Sequence, residues 1–265
     1  AAMSALEKGS QWQLALSLLS DMPLLRITPS QISFGAAISA CEKGCRWELA
    51  LSLLRGMPEI KVRADRICYN AAMSACGNGG QWQLALGLLC IMLELELKPD
   101  EISYDAAISA CEKGGQWQLA LSLLSNMPAL KATPNVVSHN AAISACEKGG
   151  QWQLACLLLW QLPSRRITPD AISCNSALAA CCACGQWQMA LVLFDQIPDL
   201  DLTRTEISYN LAITAVQSWR AAFQVLSQLL DARFSPDAFC LSTAISSCER
   251  AGEALIWPIQ AAKDS

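Results

Sequence analysis

The feature that most restricts what this chain can fold into is an internal repeat of 35 residues. Residues 106–120 and 141–155 are identical, both reading AAISACEKGGQWQLA. Trp12, Trp47, Trp82, Trp117, Trp152 and Trp187 follow one another at steps of 35. A period of that length belongs to arrays in which each unit is one supersecondary element that buries its apolar face only against its neighbours. The ordinary conversion of chain length into domain count therefore does not apply. The array is expected to span 1–265: a partial unit 1–30, five units at 31–65, 66–100, 101–135, 136–170 and 171–205, a shortened unit 206–237 and a truncated one, 238–265.

Unit 101–135 shows the pattern. Tyr104, Ile108 and Cys111 recur at i, i+4 and i+7, which is one apolar stripe of a helix. Ala107 and Ala110 keep that helix thin where a neighbour approaches, and Gly114-Gly115 end it. A second stripe runs through Trp117, Ala120, Leu121 and Leu124 to Met127, and Pro128 stops the second helix. Pro134-Asn135 then leads into the next unit, with Asn135 placed to cap its first helix. The expected fold is all-α, an α-α superhelix or solenoid of helix-turn-helix repeats, with first helices on the concave side. In 206–237 the turn between the helices is expected to be three residues shorter, and in 238–265 Pro258 falls within the second helix.

Composition narrows the function classes. Hydrophobic residues make up 53% and charged residues 16%, and no apolar run approaches the roughly 18–20 residues of a membrane span, so a soluble chain is expected. The net charge of −4 argues against a strong, sequence-blind nucleic-acid binder, which carries a basic excess. It leaves room for a groove of local basic character. Of the 14 cysteines, Cys41, Cys76, Cys111, Cys146 and Cys181 are 35 apart and occupy one slot of the repeat. They read as small core residues in a reducing compartment. Cys181-Cys182-Ala183-Cys184 contains a Cys-x-x-Cys spacing, but a zinc deaminase site also needs His-x-Glu, and the sole histidine, His139, precedes Asn140-Ala141. No phosphate-cradling loop and no nucleophile–base pair is present. The expectation is no catalytic residue, no metal, no cofactor and no enzyme. The chain opens inside a repeat at Ala1, so any targeting segment is expected to lie outside it.

The 35-residue length, Tyr69-Asn70 and Tyr209-Asn210 at the fourth and fifth positions, Ala-Leu in the second helix, Met at its end and Pro-Asp at the close occur together. The Trp-x-x-Leu-Gly opening of tetratricopeptide repeats is missing. The chain resembles the pentatricopeptide repeat family over essentially its whole length. The resemblance implies that each unit faces one base of single-stranded RNA, selected by its fifth and last residues. Asn70 with Asp100, Asn140 with Asp170, and Asn210 with Asp237 then resemble uracil readers, and Asn175 with Thr205 a weaker pyrimidine reader. Gly35/Asp65 and Asp105/Asn135 depart from that pattern. The second residues Ile32, Ile67, Ile102, Val137, Ile172, Ile207 and Phe239 would wedge between bases, and Lys43, Lys113 and Lys148 would approach phosphates.

Plainer roles stand beside these. The aspartates can serve as helix N-caps, the isoleucines as packing between units, and the lysines, next to Glu42, Glu112 and Glu147, as a solvated charged face. The tryptophans read as core. Two functions follow. The first is a single-stranded RNA-binding protein in processing, stability or translation of organelle transcripts, in plastid or mitochondrion by resemblance, with pyrimidine-rich RNA as partner and no membrane. The alternative is a protein–protein interaction scaffold.

Overall fold

The computed structural model describes residues 2–9, 11–216, 219–232, 234, 241 and 242. Fourteen α-helices and no strand occur among the described residues, in two compact units that meet in sequence at Gly149 and Gly150. The first unit holds α1 (Ala2–Lys8), α2 (Trp12–Asp21), α3 (Gln31–Lys43), α4 (Trp47–Gly56), α5 (Arg66–Asn78), α6 (Trp82–Glu94), α7 (Glu101–Lys113), α8 (Trp117–Asn126) and α9 (Val136–Lys148). The second holds α10 (Trp152–Ser164), α11 (Ala171–Ala183), α12 (Trp187–Gln196), α13 (Glu206–Ala215) and α14 (Trp219–Asp231).

In the first unit the odd-numbered helices lie side by side, α1 on α3, α3 on α5, α5 on α7 and α7 on α9. Each even-numbered helix packs on the odd-numbered helix before it and the one after it. The second unit repeats this arrangement, with α11 beside α13 and α12 set between them. Small residues permit the close odd-numbered layer. A Cβ on Gly77 of α5 would stand 3.1 Å from the Ala110 Cβ of α7. The expected stripe of α7 is the core: Tyr104, Ala107, Ile108, Ala110 and Cys111 are all buried.

The slot cysteines Cys41, Cys76, Cys111, Cys146 and Cys181 are buried and carry no disulfide. Burial pushes the thiols of Cys41, Cys76, Cys111 and Cys146 up to about 11, so they stay protonated and inert near neutral pH. Cys156 stands where other units have leucine, and its Sγ lies 3.6 Å from that of Cys181.

Three details differ from the sequence reading. The repeat tryptophans are half-buried, and four of the rings lie on the glycine that follows the next odd-numbered helix: Trp12 on Gly44, Trp47 on Gly79, Trp82 on Gly114 and Trp117 on Gly149. Only the second glycine of the pair is left-handed, as in Gly115 with φ +67°; the first is there for space. Pro163 lies inside the last turn of α10, whereas Pro128 follows the end of α8, as expected, and opens a short 3₁₀ turn. Proline's φ suits helical backbone, so what it removes is one N–H, and the chain still completes a turn. The three residues missing from 206–237 come out of the helix: α13 has 10 residues where α11 has 13. Pro258 lies outside the described residues.

Candidate nucleic-acid interface

From α3 onward, the residue before each odd-numbered helix, the last of a unit in the sequence reading, is its N-cap. Ser30, Asp65, Asp100, Asn135, Asp170 and Thr205 each accept a hydrogen bond from the backbone N–H three residues on. That settles one orphan donor of the helix terminus. Asp100 and Asp170 are thus caps, as the plainer reading has it; Asp237 and Phe239 lie outside the described residues.

Asp100 does more than cap. Its Oδ1 also accepts from Asn70 Nδ2 at 3.3 Å, and its Oδ2 faces Arg66 Nε at 3.0 Å. The Ser103 hydroxyl donates to Asn70 Oδ1 at 2.7 Å. Both ends of the Asn70 amide are therefore gripped, with one N–H and one lone pair left over. Burial pushes the Asp100 carboxyl up, but hydrogen bonds from Ser103 and Asn70 and the Arg66 charge outweigh it and hold the group below the usual aspartate value. The carboxylate stays charged and keeps the amide in one orientation.

The other pairs vary this theme. Asn175 Nδ2 donates to Thr205 Oγ1 at 3.4 Å, a longer and uncharged contact. Asn140 on α9 and Asn210 on α13 are half-buried. Gly35 supplies no side chain, and a Cβ there would meet only Cys68 Sγ, at 3.6 Å. The Asp105/Asn135 pair is inverted: Asn135 Nδ2 donates to Asp105 Oδ2 at 2.9 Å. Asp105 Oδ1 is buried with no hydrogen-bond partner among the described residues. Burial there prevails over the hydrogen bonds from Asn135 and Ser138 and raises the carboxyl above the usual value.

The second residues do not pack between helix pairs. Ile32, Ile67, Ile102, Val137, Ile172 and Ile207 are all 52–78% exposed. In the first unit Ile67, Ile102 and Val137 border a groove of about 500 Å³ that Asn70, Asp105 and Lys113 also line. The lysines are partly spoken for. Lys43 pairs with Glu7 at 3.3 Å and Lys148 with Glu112 at 2.7 Å, while Lys113 donates to the neutral Asn78 Oδ1 at 2.5 Å.

Two participants escape the sequence reading. One is the serine at the third position, Ser103 among them; its recurrence at Ser33, Ser138, Ser173 and Ser208 after a capping residue was the available signal. The other is Arg66, for which the sequence carries no periodic signal.

The PPR repeat family model matches residues 32–62, 67–97 and 172–202, and the pentatricopeptide repeat domain model matches 88–148. No curated protein matches the chain significantly. Among solved structures the chain is similar to the maize pentatricopeptide repeat protein PPR10, with TM-score 0.57 at 18% identity over 94% of this chain and 41% of that one. It is also similar to PPR10 in complex with an 18-nt psaJ RNA element, with TM-score 0.62 at 22% identity over 94% and 42%. A third similar structure is the PPR domain of Arabidopsis thaliana protein-only RNase P 1 in complex with tRNA, with TM-score 0.55 at 14% identity over 64% and 90%. The chain spans about two fifths of the length of the maize protein. With helix pairs along the described residues and family matches along the repeats, the chain belongs to the pentatricopeptide repeat family.

Proposed function

We propose that the chain binds single-stranded RNA, one base per helix pair, and acts in processing, stability or translation of organelle transcripts. The observation that carries this reading is the exposure of six branched aliphatic side chains in one register of the repeat. Three of them, Ile67, Ile102 and Val137, border the groove that Asn70, hydrogen-bonded to Asp100, also lines. Isolated exposed apolar residues are ordinary, but exposure of the same position in repeat after repeat marks a surface for a partner. Successive base faces are flat, and apolar contact with them tolerates any sequence. An anchored amide then offers a donor and an acceptor to one base edge. The similar maize protein is seen with RNA, which supports the partner class.

In this reading Asn70/Asp100, Asn140/Asp170 and Asn210/Asp237 take uracil, Asn175/Thr205 takes a pyrimidine, and the preferred RNA is pyrimidine-rich. The unit boundaries 31–65 through 206–237 define the base-facing modules.

The test is retention from a random RNA pool followed by sequencing, on the wild type and Asn140→Ser. Serine keeps a hydroxyl and loses the amide, so the variant should change preference at one base, from uracil toward guanine, and leave the others alone. An unchanged preference at every base in a variant that still binds would refute the pairing. No RNA retained at low salt would refute RNA binding and leave the protein scaffold.

A further inference from the structure

In unit 101–135 the order of the amide and the carboxylate is reversed. Unit 66–100 has an amide fifth and a carboxylate last, Asn70 with Asp100, whereas 101–135 has Asp105 with Asn135. Asp105 is half-buried on α7 and lines the groove with Asn70, Ile102 and Val137. Asn135 Nδ2 donates to Asp105 Oδ2 at 2.9 Å, so one end of the carboxylate is held. Its Oδ1 is buried and has no hydrogen-bond partner among the described residues. Burying an acceptor without a donor costs free energy. A ligand that brings a donor along the groove supplies the missing bond.

We infer that the base bound at 101–135 is guanine, held by its Watson–Crick edge on the Asp105 carboxylate. This rests on the RNA-binding reading above and assigns a base which that reading leaves open. The Asn70 amide has both an N–H and a lone pair to offer, but a carboxylate only accepts. Opposite it, uracil sets one N–H between two carbonyl oxygens, and both oxygens are repelled. Adenine and cytosine each place an amino N–H beside a ring nitrogen that is itself an acceptor. Guanine alone presents two adjacent donors, N1–H and the 2-amino group, which match the two oxygens of one carboxylate. Each oxygen accepts more than one hydrogen bond, so Asn135 keeps its hold on Oδ2. The terminal torsion of an aspartate is soft, so a modest turn brings Oδ1 toward the groove. Ile102 and Val137 line the same groove and offer apolar surface to the faces of that base. Lys113 lines it too, so the Asp105 charge does not meet the strand uncompensated.

Selection from a random RNA pool, at a mildly alkaline pH that keeps the carboxylate charged, tests the assignment with the flanking units as internal controls. The wild type should retain uracil, guanine and uracil opposite 66–100, 101–135 and 136–170. Guanine should exceed uracil at the middle base by at least about tenfold. Inosine keeps N1–H and lacks the 2-amino group, so inosine in place of that guanine in a synthetic RNA should weaken binding roughly fivefold. Asp105→Asn with Asn135→Asp rebuilds the Asn70–Asp100 pair beside Ser138, and the middle base should turn to uracil. Flanking uracils with another base between them, or with no preference there, would overturn the assignment and leave the RNA reading standing. Guanine persisting in the exchanged variant, or inosine bound as tightly as guanine, would overturn it equally. If the exchanged variant does not fold, the isosteric Asp105→Asn alone must lose the guanine preference. No retained RNA, or no preference at any base, would overturn both readings together.

Discussion

Asn70 and Asp105 occupy the same place in neighbouring pairs and face opposite energetics. The Asn70 amide is neutral and doubly gripped, whereas Asp105 holds a buried oxygen without a hydrogen bond. Its carboxyl is raised by burial, so the folded chain holds the Asp105 proton more tightly than the unfolded chain does. The Asp105 contribution is therefore best at low pH and is lost as pH rises from 3.8, the ordinary aspartate value, through the raised one. Asp105→Asn should stabilise the protein at neutral pH by about 1 kcal/mol, and the gain should shrink as pH is lowered through that window. Urea melts of both proteins across pH give the difference directly. A gain that grew with acid would contradict the assignment. Gly35 poses the converse case. A Cβ fits there, and Asp65 already caps the next helix as Asp100 does. Gly35→Asn together with Cys68→Ser rebuilds the Asn70–Asp100–Ser103 triad. RNA pool selection should then show one added uracil preference, worth about 1–2 kcal/mol at one base.

At the scale of the element, the two glycines between paired helices do separate things. A Cβ on Gly114 would lie 2.3 Å from Trp82 Cδ1, whereas one on Gly115 meets nothing but sits at φ +67°. Gly114→Ala should cost roughly 1–3 kcal/mol as overpacking, and Gly115→Ala about 1–2 kcal/mol as left-handed strain. Trp82→Leu should rescue part of the first loss and none of the second, as read from denaturant melts. The sequence located this turn through its glycines but not this division, because periodicity reports which residues share a slot and is silent on what a slot meets in the next pair. The same limit explains other gains and misses. The stripe Tyr104, Ile108, Cys111 was legible because it is a property of one helix. The Asn70–Asp100 contact spans 30 residues and was reached only through family resemblance. The Ser103 hydroxyl that completes it went unread, since a serine near a helix start is ordinary capping chemistry. The three residues lost from α13 read in the sequence as a shorter turn, since periodicity locates a deletion between two stripes and not on which side of the helix end it falls.

For the molecule as a whole, a net charge of −4 must be reconciled with the proposed polyanionic partner. The structure suggests how little electrostatics the proposed binding uses. Lys43 and Lys148 face carboxylates of Glu7 and Glu112 at 3.3 and 2.7 Å, so each brings a nearly cancelled charge to the surface. Lys113 donates to an amide, Asn78 Oδ1, and keeps its full charge beside the groove. Removing a phosphate-contacting cation flattens the dependence of log K on log salt by about 0.7 for single strands. Lys113→Ala should therefore lower that slope by roughly this amount, while Lys148→Ala should change it much less, because Lys148 is held on Glu112 and displaces no phosphate counterion. Neither should alter which bases are preferred, since phosphate contacts position the strand and carry no sequence information. Filter binding of one pyrimidine-rich RNA across a salt series measures both slopes, and a selection from random pools checks that preference is constant. Equal slope changes in the two variants would show that the Glu112 pairing opens when RNA arrives. A base preference that moved with Lys113 would place that side chain on a base edge instead of the phosphate.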